Sequence, residues 1–282
     1  MRKIIIFGGS GFVGKSLKEF ILKKKTKILK IKSYSRTENK NIINIKKLPK
    51  VDLIIYCINN KNIKKSLKYF NHFKKLIKTN IKKTKILFLS SGAVYGPRKS
   101  KLKFKEKEII NFKKIKNFTG YKLNYAKEKI ILENEFKKLA KEGYKISIAR
   151  GFTFYGKNIL KYNYAISNII NKINSKKNIV INNRNVFRSY MHETDMCRWI
   201  IKIADSSSIK CPIYNIGSDK IINLEKLAKY LAGKNNVNIT YKKTKTSMSD
   251  FYVPSINLAK KNLKLKTTIN FKDAIKLLIN KL

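Results

Sequence analysis

Short, nearly unbroken apolar runs alternate with amphipathic stretches along the first half of the chain. Lys3 to Phe7 is the first such run, and Leu17, Phe20 and Ile21 repeat after it at helical spacing. Ile28 to Ile31, Ile42 to Ile45, Leu53 to Ile58 (entered by Asp52), Lys85 to Leu89 and Ile146 to Ala149 read as further strands. Helices are expected from about Ile63 to Ile77 and from Leu123 to Leu139, the second stopped by Gly143. Strands this short and this apolar are buried on both faces, which is the habit of a parallel sheet covered by helices on both sides. The Lys-rich stretch from Pro97 to Asn117 reads as a mobile loop. Beyond Gly151 the pattern turns irregular, with short helices and strands, and no internal repeat is visible.

The first strand runs straight into GGSGFVG, residues 8–14. The spacing satisfies both G-x-x-G-x-x-G (Gly8, Gly11, Gly14) and G-x-G-x-x-G (Gly9, Gly11, Gly14). Such a turn needs residues free to take positive φ and a backbone with no Cβ to hold a phosphate away. The helix that follows offers its N-terminal N–H groups and positive dipole end to a pyrophosphate. A tight turn with close helix–strand packing would not need so many glycines. The loop Gly8, Gly9, Ser10, Gly11, Phe12, Val13 and Gly14 is therefore the candidate cofactor-binding segment. The fold class that follows is α/β, a Rossmann-type doubly wound parallel sheet with a smaller C-terminal substrate-binding lobe. Ligands of such sheets sit outside the carboxyl ends of the strands. The glycine loop, the turn at Ser91 and the turn at Arg150 all fall at such ends, which points to one site.

Charge changes the picture less than its size suggests. The 282 residues carry a formal net charge of +50, which taken alone reads as affinity for nucleic acid or an anionic membrane. Of the 66 basic residues only Arg2, Arg36, Arg98, Arg150, Arg184, Arg188 and Arg198 are arginine; the rest are lysines spread through every segment. Lys, Ile and Asn are enriched together, and their codons are built almost wholly from A and T. Compositional bias accounts for this without a selected partner, since nucleic-acid binders cluster Arg and Lys on one face and interleave aromatics. No specific nucleic-acid partner is expected, although polyanions should bind nonspecifically at low salt. Cys57, Cys197 and Cys211 are odd in number and form no C-x-x-C, which fits reduced thiols and a cytoplasmic location; Cys57, in an apolar strand, is assigned to the core. No apolar run reaches the roughly eighteen residues of a membrane span, and glycines cut the apolar start too early for a signal peptide. No metal site is expected.

Tyr125 and Lys129 stand four apart on the long helix and so share a face. Tyrosine is a poor base at its reference pKa of about 10, and bringing it to about 7 takes roughly 4 kcal/mol. One ammonium at about 4 Å supplies that order at an effective dielectric of 20. Ser91 could hydrogen-bond the oxygen of a carbonyl being reduced or formed. Alone, Y-x-x-x-K is a weak signal in a chain rich in both residues; Tyr121 also stands four before Tyr125.

Together the motifs are more specific. GGSGFVG at 8–14, SSGAVYG at 90–96 and YAKEK at 125–129, with Glu133 after it, resemble the extended short-chain dehydrogenase/reductase family, the NAD(P)-dependent nucleotide-sugar epimerase/dehydratase group. Asp52 opening LIIYCIN, Asn71 on its helix, Arg150 through Tyr155-Gly156, RSYMHETD at 188–195, YNIGS at 214–218 and YVPSINLAKKNL at 252–263 continue the likeness in order through nearly the whole chain. The resemblance implies Tyr125 as acid/base, Lys129 as holder of the nicotinamide ribose and tuner of Tyr125, and Ser91 as polariser of the substrate oxygen. It also implies Arg188 on a nucleotide diphosphate, with Gly92 and Thr153 beside the substrate. Arginine's planar fork suits that contact. His192 is assigned a structural role, and Asp195 that of a helix cap or structural partner. The implied division is a dinucleotide-binding domain over 1–155, to which 187–213 returns, and a substrate-binding lobe over 156–186 and 214–282. Related enzymes often pair as homodimers through a bundle that includes the Tyr125 helix.

Departures from the pattern narrow the expectation. The family's 4,6-dehydratases carry an acidic pair just after the catalytic hydroxyl residue, where this chain has Gly92 and Ala93. Elimination of water needs an acid for the leaving hydroxyl, so a dehydratase is argued against. Thr153 replaces an Asn, which weakens its assignment to the diphosphate. No Asp or Glu ends the second strand; Ser35 and Arg36 stand there, and a cation at that point suits the 2′-phosphate of NADP over NAD. The expected activity is reduction of a nucleotide-linked keto-deoxy sugar with NADPH, or epimerisation through a transient ketone, in the making of cell-surface polysaccharide sugars. A non-sugar ketone reductase and an RNA-binding relative that has left sugar chemistry are the alternatives.

Overall fold

The computed structural model describes residues 2–23, 29–34, 44–60, 62–78, 83–118, 120–242 and 249–279. The central sheet is built from β1 (Arg2–Phe7), β2 (Leu29–Tyr34), β3 (Leu53–Tyr56), β4 (Lys85–Ser91), β5 (Lys145–Gly151) and β10 (Ile213–Ile216). Its order is β10-β5-β4-β3-β1-β2, and every pair is parallel. The chain leaves β1 for β2 on one side and returns to β3 on the other, so the order reverses at β1. That reversal opens the crevice in which such sheets take ligands.

The apolar runs form strands because both faces are covered. Ile4, Ile6, Leu53, Ile55 and Leu87 face α1 (Phe12–Lys23) and α6 (Glu193–Asp205), whose Leu17, Trp199, Ile200 and Ile203 complete that core. Ile5, Phe7, Ile54, Tyr56 and Phe88 point the other way, against Phe70 and Phe73 of α2 (Ile63–Ile77) and Phe136 of α4 (Gly120–Lys141). Strand residues alternate sides, so two cores require apolar residues at successive positions. Asn62 starts α2 by accepting the Lys65 N–H at 3.0 Å, an N-cap that replaces one missing intrahelical partner.

Three sequence expectations change. Asn44 and Ile45 are not in a strand, while Ile42 and Ile43 lie outside the described residues. The 97–117 stretch is anchored, not mobile. Phe104 is fully buried and bridges Pro254, and α3 (Phe112–Ile115) buries Ile115. With Val94, Tyr95, Ala126, Ile130 and Phe152 these two residues form a separate core. Cys57 is half-buried at the edge of a core, its thiol donating to the Phe7 carbonyl at 3.2 Å.

The remaining elements are smaller. A core of Ile166, Ile169, Ile170 and Ile173 on α5 (Ala165–Asn174), Ile179 and Ile181 on β7 (Ile179–Ile181), and Leu227 and Leu231 on α7 (Leu224–Lys234) gathers with α9 (Phe271–Ile279). Beside it, β8 (Val186–Arg188) lies between β11 (Ile222–Asn223) and β13 (Asp250–Tyr252). A two-strand pair, β6 (Phe154–Tyr155) with β9 (Met191–His192), ties this region to the end of β5. Among the described residues no helix is long and apolar enough to cross a membrane.

Candidate active site

The glycine loop is shaped by what stands next to it. Gly8 has φ +100°, and a Cβ there would lie 2.7 Å from the Cys57 carbonyl oxygen, just past β3. A Cβ on Gly14 would lie 2.3 Å from the Gly8 oxygen and 2.6 Å from the Gly9 Cα. Gly11, by contrast, faces only the Gly8 oxygen at 3.5 Å. Gly8 and Gly14 therefore close the turn, and Gly11 leaves room above it. The Gly8 and Gly9 N–H groups donate to the Tyr34 carbonyl at 2.9 and 3.1 Å, holding the loop to the end of β2. Ser10 is exposed, while Phe12 and Val13 pack against the core as α1 begins. A bare-backbone cradle ahead of a helix N-terminus fits a dinucleotide pyrophosphate. Gly14→Ala is expected to weaken dinucleotide binding at least about tenfold, because the clash is with backbone that cannot swing aside. Fluorescence titration measures this, and an unchanged dissociation constant would contradict the cradle. Ser35 and Arg36 lie outside the described residues.

Helix α4 packs against β4 and β5 and presents Tyr125, Lys129 and Glu133 at intervals of four, one face of the helix. Glu133 fixes that face. Its Oε1 accepts from Ser90 Oγ at 2.6 Å and from Arg150 Nε at 2.9 Å, and its Oε2 from Arg150 Nη2 at 2.8 Å. Ser90, Arg150 and Asn215 are register neighbours across β4, β5 and β10. Arg150 also donates to Tyr95 Oη at 2.9 Å, and Tyr95 to Asn215 Oδ1 at 2.7 Å. Glu106 closes the network by accepting the Asn215 N–H at 3.0 Å; burial raises its carboxyl above the usual range. This buried polar layer joins three strand tips, α4 and the 97–117 segment.

Above it, Ser91 ends β4 and caps the 3₁₀ turn Gly92–Tyr95, its Oγ accepting the Ala93 N–H at 3.2 Å. The Tyr125 phenol lies close enough to Ser91 for that hydroxyl to pull its pKa down. Lys129 is 2 % exposed and donates to the Ile58 carbonyl at 3.2 Å, in the same β3 exit that Gly8 packs against. Its ammonium stands 5.5 Å from the Tyr125 ring centroid and 3.9 Å from Glu128 Oε1. Ser91, Tyr125 and Lys129 are thus brought together beside the glycine loop. Burial pushes the Tyr125 phenol up to about 12, with the Ser91 hydroxyl pulling the other way; burial lowers Lys129, opposed by Glu128. Lys129 is not among the groups that shift Tyr125: Glu128 and Tyr121 add to the rise that burial causes, so the expected lowering by Lys129 does not appear.

The substrate side is more altered. A Cβ on Gly92 would lie 2.6 Å from the Phe152 ring, which lies tilted against Tyr252 at 4.6 Å. Thr153 is half-buried, its carbonyl accepting the Met191 N–H at 3.0 Å. Arg188 is not a free cation. It donates to Asp250 Oδ2 at 2.6 Å and to the Asp250 and Phe187 carbonyls at 2.8 and 2.9 Å, and lies 5.8 Å over the Tyr252 ring. His192 caps α6 through the Thr194 N–H, and Asp195 accepts from the N–H groups of Thr268 and Ile269, both structural contacts. Asn71 is exposed on α2, away from the site. Tyr252 was missed by sequence reasoning: its hydroxyl stands 3.4 Å from Ser91 Oγ and 3.5 Å from the Gly151 oxygen. No period or spacing marks it, because it arrives from a strand 161 residues away.

A doubly wound parallel sheet with a glycine cradle and a hydroxyl-rich site at its strand ends defines a dinucleotide-binding α/β protein. The chain belongs to the NAD dependent epimerase/dehydratase family, whose model matches residues 4–217. No protein of curated function matches the chain. Among solved structures it is similar to RMD from Pseudomonas aeruginosa complexed with NADPH (17 % identity, 99 % of this chain and 98 % of that one, TM-score 0.79). It is also similar to a mutant UDP-glucuronic acid 4-epimerase from Bacillus cereus in complex with UDP-4-deoxy-4-fluoro-glucuronic acid and NAD (15 %, 99 % and 98 %, TM-score 0.81). A dTDP-glucose 4,6-dehydratase from Bacillus anthracis with NAD matches at 15 % identity, 99 % and 96 % coverage and TM-score 0.79. At these identities the likeness shows a shared fold.

Proposed function

We propose that the protein reduces a keto group on a nucleotide-activated, keto-deoxy sugar, using a Ser91–Tyr125–Lys129 site in the cytoplasm. The observation that carries this reading is the meeting of those three side chains beside the glycine cradle. Residues 8–14, Lys129 and Tyr125 would hold a nicotinamide dinucleotide, which would supply the hydride. Ser91 orients the substrate carbonyl, and Tyr125 delivers the proton to its oxygen. Burial keeps the phenol protonated, the form that reduction starts from, whereas the oxidation that opens an epimerisation starts from a base. Lys129, paired at the Ile58 carbonyl, keeps positive charge within reach of the phenolate that forms.

Elimination of water fits less well. The positions of an acidic pair hold Gly92 and Ala93, and the Phe152 ring fills the space where a side chain on residue 92 would go. Arg188 is the residue for the diphosphate, which must compete with Asp250 for the guanidinium. Calorimetry with free UDP, CDP, GDP and dTDP tests the substrate class: binding of one is expected, and binding of none would favour a non-sugar ketone. NADP is the preferred cofactor, supported by Arg36 where an acid would select NAD. Arg36→Ala is expected to raise the dissociation constant for NADPH more than for NADH, and an equal effect on both would refute the preference.

A further inference from the structure

Ser91 can perform its part only if its one proton points at the substrate. A serine hydroxyl has one donor and two acceptor sites. The Ala93 N–H fills one acceptor site at 3.2 Å. Two phenols stand near the rest of the group: Tyr125, which would meet the reacting oxygen, and Tyr252, 3.4 Å away. If Ser91 donated to Tyr252, its proton would point away from the substrate. The Tyr252 hydroxyl could then pass its own proton only to the Gly151 carbonyl, at 3.5 Å.

We propose that Tyr252 is the positioning residue of Ser91, its O–H donating to Ser91 Oγ so that the Ser91 proton is left to Tyr125 and the substrate oxygen. This rests on the reading of Ser91 as the group that orients the substrate carbonyl. The ring of Tyr252 is well placed to hold such a bond. It lies tilted against Phe152 at 4.6 Å and 34°, meets Phe104 edge-on at 6.2 Å, and Phe152 is in turn wedged against Gly92 at the foot of the serine turn. Tyr252 on β13 is register partner to Arg188 on β8, so the hydroxyl that aims the serine lies on the strand beside the one that bears the candidate diphosphate cation. Contacts of 3.4–3.5 Å are long, and catalytic hydrogen bonds tighten once substrate is in place.

The test uses Tyr252→Phe, which keeps the ring and removes only the hydroxyl. With NADPH and a nucleotide-linked keto sugar, kcat is expected to fall about tenfold, with KM and the NADPH dissociation constant within about twofold of wild type. In a Ser91→Ala background the same change should cost nothing further, because Tyr252 acts through Ser91. Equal, additive losses in both backgrounds would overturn the proposal, as would an unchanged kcat. A second readout needs no substrate. In the protein labelled with ¹³Cζ-tyrosine, the Tyr125 resonance is expected to move in Ser91→Ala, to move the same way in Tyr252→Phe, and to move no further in the double variant. If the wild type reduces no nucleotide-linked sugar, the substrate reading falls; the NMR result still decides the role of Tyr252, and an unmoved Tyr125 signal in Tyr252→Phe rejects it.

Discussion

Tyr125→Phe is expected to lower kcat by about 10²–10⁴-fold, the range contributed by a positioned general acid, with a far smaller change in cofactor affinity, because residues 8–14 and Lys129 keep their contacts. The change removes one oxygen and no ring volume, so the packing of α4 against the sheet is kept. Lys129 retains its bond to the Ile58 carbonyl. Loss of the proton donor should therefore appear in single-turnover reduction far more strongly than in NADPH titration. A variant with kcat within about threefold of wild type would show that another group gives the proton.

The second large effect is on stability. Glu133 and Arg150 are 1 % and 2 % exposed, and three hydrogen bonds from Ser90 and Arg150 converge on the carboxylate. Removing one partner of a buried pair leaves the other charge without compensation, at a cost of about 3–5 kcal/mol. Glu133→Ala is expected to destabilise by that amount in urea unfolding, with Arg150 stranded beneath the site. The consequence reaches function, because the same clasp sets the rotation of α4 that brings Tyr125 and Lys129 towards Ser91. Replacing Glu133 and Arg150 together by apolar residues of similar volume should cost less than Glu133→Ala alone, since no charge is then left unpaired. A Glu133→Ala loss under about 1 kcal/mol would mean that water reaches Arg150.

What could be read from the sequence was what local pattern encodes. Residues 53–56 and 85–91 announce themselves because both faces of their strands are buried, and α2 was placed at Ile63–Ile77 by its apolar period alone. Ser91, Tyr125 and Lys129 were legible as motif members. The 97–117 segment was misread because its anchors, Phe104 and Ile115, are isolated apolar residues among lysines, and their partners come from Pro254 and α4. The Arg188–Asp250 pair and the Tyr252–Ser91 contact are pairings between residues 62 and 161 positions apart. Long-range pairings of that kind follow from topology, and no spacing rule within an element carries them. Gly92 was noticed as a missing acid; only the Phe152 ring shows what occupies the space an acidic side chain would need.

The most direct measurement is absorbance at the reduced-nicotinamide band after mixing the protein and NADPH with UDP-, dTDP-, GDP- or CDP-linked 4-keto-6-deoxy sugars. Oxidation of NADPH in step with formation of the reduced sugar, in wild type and not in Tyr125→Phe, is the expected result. Bound NADPH that passes hydride to none of these substrates, or does so equally well without the Tyr125 hydroxyl, would contradict a Ser91–Tyr125–Lys129 sugar-nucleotide reductase.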